Sequence, residues 1–123
     1  MLYSIDNLKP ITSVPHEESF IRWKAKIDPL KYEAIKNELR GRLTESEVHT
    51  SSWMPGSNWM GTVFEPIYIE ACSLNQEAAA LFFGLILWEV MMEDEHDWSF
   101  GRYSVGNVPI EGMTYFRIQR RDR

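Results

Sequence analysis

Residues 78–92, AAALFFGLILWEVMM, carry a single charge, Glu89, and run straight into an acidic cluster of Glu93, Asp94, Glu95, His96 and Asp97. A helix lying on a protein surface shows a polar face opposite its apolar stripe, and this run has almost none. At about 1.5 Å per residue it also falls short of the roughly 20 apolar residues that a hydrocarbon core requires. The expectation is a helix over about residues 75–92 at the centre of a folded domain, buried by the rest of the chain or by a partner.

A chain of 123 residues fits one domain, and at that length folding buries about two thirds of the extended chain's surface. Hydrophobic residues at 44% and charged residues at 25% are ordinary for a globular protein, and five Trp make its apolar part bulky. A formal charge of -5 argues against duplex nucleic acid as a partner, because neutralising phosphates needs a concentrated Lys/Arg face. It leaves room for a basic protein partner. Cys72 is the only cysteine, which rules out an intrachain disulfide and a Cys-based zinc site. The start, MLYSIDNLKP, has no apolar run behind a basic head, and no later segment reaches spanning length. Neither secretion nor membrane insertion is expected, and a cytoplasmic protein is.

Residues 1–18, with Pro10, Pro15, His16, Glu17 and Glu18, show little periodicity. They read as an extended N-terminal arm ahead of a single globular domain over 19–123. Ile21, Trp23, Ala25 and Ile27 alternate with Arg22, Lys24 and Lys26, the period of a half-buried strand. Asp28-Pro29 supplies a cap and a proline at the first helical position. Tyr32, Ile35 and Leu39 then define an amphipathic helix over about residues 29–40, stopping at Gly41, with Lys31, Glu33, Lys36 and Arg40 on its polar face. A short strand is expected through Val48 to Trp53, a turn at Pro55-Gly56, and a short helix opened by Pro66. Ser73 and Gln76 match a capping box for the apolar helix. WSFGRYSV and GMTYFRIQRR form two strands joined through Gly106, Asn107, Pro109 and Gly112. The fold class is α+β: a small, mainly antiparallel sheet of three to four strands packed against the central helix, plus the amphipathic helix.

The strong chemical signatures are not met. Gly56 and Gly61 have phosphate-loop spacing, but Thr62 stands where the lysine is needed. The acidic cluster lacks the alternating ligands and bend glycine of a calcium loop, so no metal and no cofactor is expected. Cys72, within IYIEACSL, reads as a buried thiol rather than a nucleophile. Glu89, if buried, needs a partner, and Arg102 or Arg117 on the neighbouring strands is the expected one.

Two functional readings follow. The first is a small acidic binding protein of the adaptor, inhibitor or immunity type, with no catalysis of its own. Glu93, Asp94, Glu95 and Asp97 would dock it on a larger basic partner, since carboxylates at a helix C-terminus oppose the dipole and call for a reason outside the fold. The second is a small-molecule-binding or hydrolytic domain with its site in the loop from His49 to Thr62. There His49, Ser51, Ser52 and Asn58 would fix a polar ligand while Trp53 or Trp59 stacks on it. The competing role for the two indoles is to plug the core. A homodimer through the apolar helix or a sheet edge is compatible with both readings.

Overall fold

A computed structural model of the chain describes residues 1–4, 6–43, 48–50, 59–102, 104–105, 108–109 and 113–118; for 48–50, 104–105 and 108–109 it describes the backbone alone. The apolar run forms α3 (Gln76–Glu93), with Phe82, Phe83, Leu85, Ile86, Leu87, Val90 and Met91 buried around much of its circumference. Its cap is Asn75, whose side-chain oxygen accepts from the Ala78 amide at 3.0 Å. Ser73 does not serve as the expected cap. It and Leu74 take left-handed φ angles of 50° and 67°, which turn the chain from the preceding short π-helix, Ile67–Ala71, into α3. That π-helix stands where Pro66 led us to expect a helix.

The amphipathic helix is α2 (Pro29–Leu43). The Asp28 side chain accepts from the Leu30 amide at 2.8 Å at its start. It buries Tyr32, Ile35, Lys36, Leu39 and Leu43, one helical stripe at i, i+3, i+4, i+7 and i+11. The helix continues through Gly41 instead of ending there. A helical glycine costs about 1 kcal/mol relative to alanine, whereas burying a leucine such as Leu43 contributes about 1.5–3 kcal/mol, so the stripe prevails.

The strand expected over residues 21–27 is instead α1 (Glu17–Lys24) and the turn after it. Phe20 and Ile27 are buried with Trp23 half-buried between them, while Ile21 is 57% exposed. Residues 20, 23 and 27 follow the helical spacing, and both periods pass through Trp23 and Ile27. The Phe20 and Trp23 rings meet Phe82 of α3 at 6.0 and 5.5 Å. Glu17 and Glu18 in the first turn with Arg22 and Lys24 in the last also suit the helix dipole.

Opposite the helices lie β1 (Val48–Thr50), β2 (Trp98–Gly101), β3 (Ser104–Val105), β4 (Val108–Pro109) and β5 (Thr114–Arg117). β1, β5 and β2 pair antiparallel in that order, with Phe100 and His49 both in register with Tyr115. β3 and β4 pair with each other within the β2–β5 connection. The outer edge of β2 is covered by the start of the chain: Leu2 bridges Trp98, and the Tyr3 amide donates to the Trp98 carbonyl at 2.8 Å. Leu2 and Tyr3 are buried, so the start of the arm expected over residues 1–18 is anchored on β2. Among the described residues no helix is long and apolar enough to cross a membrane.

Candidate functional site

Two carboxylates of α3, Glu89 and Glu93, are occupied by the fold. Glu89 accepts from the Tyr32 hydroxyl at 2.8 Å and pairs with the Lys36 ammonium at 3.0 Å, with Lys24 at 3.8 Å. Neither Arg102 nor Arg117 is its partner, contrary to expectation. Lys36 belongs to the buried stripe rather than to the polar face of α2, and its ammonium also reaches Glu93 at 2.6 Å. Burial alone would lower its pKa, but hydrogen bonds to Glu93 and Glu89 outweigh that and leave it raised. Tyr32 is raised by burial first and by Glu89 second.

Of the carboxylates expected to dock a partner, Glu93 and Asp94 have similar internal duties. Glu93 is shared between Lys36 and Arg40. Asp94 accepts from the Trp98 indole at 2.8 Å and from the His96 amide at 3.1 Å. Burial would raise the pKa of its carboxyl, yet these bonds and the His96 ring hold it below the usual range. Asp97 is buried, and Glu95 is exposed. The Met1 amino nitrogen donates to the carbonyls of Asp94 and His96.

Of the six residues expected to bind a small molecule, Ser51, Ser52, Trp53 and Asn58 lie outside the described residues, and His49 contributes its backbone to β1. Trp59 fills the core: it is buried, its ring meets Phe83 edge-on at 6.0 Å, and its indole N–H donates to Gln76 at 2.8 Å. A cavity of about 500 Å3 near Thr62 has its charges already answered, since Lys31 pairs with Glu70 at 3.1 Å and Glu65 accepts from the Gly61 amide at 2.8 Å.

A second cleft, of about 470 Å3, lies over α3 and differs in kind. Leu81, Gly84, Leu85 and Trp88 line it at i, i+3, i+4 and i+7, one face of the helix. Met113 and Tyr115 bring the sheet to it, and Arg102 and His16 stand exposed at its rim. Gly84 opens the floor, for a Cβ built there meets no atom within 4 Å. Trp88 is fixed as a wall: its indole donates to the Ser13 carbonyl at 3.1 Å, and its ring meets Phe100 at 4.6 Å and Tyr115 at 6.4 Å. Tyr115 is 1% exposed, and among the described residues its hydroxyl has no hydrogen-bond partner. Buried phenols normally find one. Among the described residues Arg117 Nε is the one fully sealed side-chain polar atom without a partner, so the Tyr115 hydroxyl keeps access to the cleft. Burial pushes its pKa up, and the charge of Arg102 acts on it in the opposite direction.

The sequence carried one sign of this site, the glycine in the middle of the apolar run. In the sequence Arg102 reads as a partner for Glu89, and Tyr115 reaches α3 only through the pairing of β5. Elsewhere in the fold, burial pushes the Cys72 thiol up to about 11, and no three His, Cys, Asp or Glu among the described residues converge as a metal site. Comparison with protein-family models, with curated proteins and with solved structures finds no match to this chain.

Proposed function

We propose that this is a binding protein without catalysis of its own, and that it takes a small molecule in the cleft over α3. The observation that carries this reading is the apolar stripe Leu81, Gly84, Leu85 and Trp88 lining a concavity of about 470 Å3, within the usual volume range of ligand pockets. The sheet of three to four strands expected from the sequence serves here as the support for Tyr115. A cytoplasmic site of action goes with the reading, since the single cysteine is free and buried. Docking of a basic protein on the acidic cluster loses weight, because Glu93 and Asp94 are committed to contacts within the chain.

The test is a thermal-shift screen of small amphipathic compounds against the wild type and Gly84→Leu. Leucine is the better helix former and grows into open space, so this variant folds with its cleft filled. A ligand at 100 times its dissociation constant adds about 2.7 kcal/mol of stability. Compounds that raise the melting temperature of the wild type and leave Gly84→Leu unmoved support the reading. Equal shifts in both proteins, or none in either, refute it.

A further inference from the structure

We propose that the ligand of this cleft is a hydrophobic monocarboxylic acid, its carboxylate held between the Arg102 guanidinium and the Tyr115 hydroxyl and its apolar body laid on Leu81, Leu85 and Trp88. The proposal rests on the reading of the cleft as a small-molecule site and adds the chemistry of the occupant. The protein bears a net charge of -5, yet no carboxylate of the described residues lines this cleft, and the ionisable side chains that do are Arg102, His16 and Tyr115. A guanidinium only donates hydrogen bonds, in a planar fork that matches a carboxylate. A phenol that burial keeps protonated has a proton to donate as well. Two donors and a positive charge lining one apolar trough, with the Arg102 charge acting on Tyr115, call for an acceptor that is anionic.

The trough also limits the charge of that acceptor. A dianion such as a phosphate monoester needs more donors than one guanidinium and one hydroxyl when it leaves water beside Leu85 and Met113. A carboxylate carries one charge and is satisfied by that pair. The Tyr115 hydroxyl supplies the second, independent sign: left without a partner it is a cost to the fold, and an oxygen placed against it removes that cost. An amine-bearing ligand meets Arg102 as a like charge.

The experiment titrates the full chain with octanoate, 4-phenylbutyrate and indole-3-acetate, each beside the corresponding primary alcohol and primary amine, by calorimetry and by changes in Trp fluorescence. At least one acid is expected to bind the wild type tenfold or more tightly than its alcohol, with the amine weaker still. That preference falls to within about threefold in Arg102→Gln, which alters an exposed side chain and leaves folding intact. Tyr115→Phe reduces it too, and because the lost hydroxyl has no partner, this variant melts at or above the wild-type temperature. If acids and alcohols bind alike, or if Arg102→Gln keeps the full preference, the carboxylate is overturned while the cleft stands. If no compound of any head group binds, or Gly84→Leu binds as the wild type does, the reading of the cleft fails with it.

Discussion

Lys36 is the residue at which composition and position give opposite answers. As a lysine it is assigned to the solvated face of α2, but it stands four residues after Tyr32 and one after Ile35, on the stripe that the helix buries. A charge at such a position on an otherwise apolar stripe implies an opposite charge across the interface, and Glu89, alone in its apolar run, answers it. Breaking the pair from one side leaves a carboxylate at low exposure with only Tyr32 and a distant Lys24. Lys36→Met is therefore expected to cost about 3 kcal/mol, and Lys36→Met with Glu89→Met to recover most of it, because removing both charges also removes their desolvation. Urea denaturation of the two single variants and the double gives the coupling directly, and additive costs would mean the pair does not act as a unit. These two residues were individually conspicuous in the sequence. Their pairing was not, because it depends on how α2 and α3 cross, which periodicity does not specify.

Helix α3 was legible because its signal is long and uniform: a run of apolar residues, too short for a membrane and too apolar for a surface, has few other places to go. Its fully buried Leu87 should cost about 2–5 kcal/mol when cut to alanine, measured as a fall in urea midpoint at unchanged slope. The shorter α1 is ambiguous in sequence because eight residues hold little more than two helical turns, and a window opened at Ile21 shows alternation where one opened at Phe20 shows a helical stripe. The two periods make opposite predictions at neighbouring positions. Phe20→Ala is expected to cost about 3–5 kcal/mol and Ile21→Lys to stay within about 0.5 kcal/mol. A strand would put the larger penalty at Ile21. The cleft was the least legible feature of all, since its wall and floor come from α3, the segment ahead of α1 and the sheet, and only the tertiary arrangement brings Arg102, Tyr115 and Gly84 together.

Across the whole molecule, Asp94 and Lys36 each tie two elements, so their titration acts on the entire fold. Asp94 joins the end of α3 to Trp98 of β2, and Lys36 joins α2 to α3. The Asp94 carboxyl is held below its unfolded pKa of about 3.9, so its contribution is present above that value and is lost as pH falls through the folded one. The Lys36 ammonium is held above its unfolded pKa of about 10.4, so its contribution is complete below that value and is lost as pH rises through the folded one. Stability should therefore form a plateau between about pH 5 and 10, with an acid limb below about pH 4 and an alkaline limb above about pH 10.4. Asp94→Asn keeps an oxygen for the Trp98 indole while removing the titrating group, and it should lower the plateau by about 1–2 kcal/mol and make the acid limb shallower. Lys36→Met should act on the alkaline limb in the same way and leave the acid limb in place. Urea midpoints for the three proteins from pH 2.5 to 11.5 test both assignments together, and an acid limb equally steep with and without the Asp94 carboxylate would transfer that limb to other carboxylates of the chain.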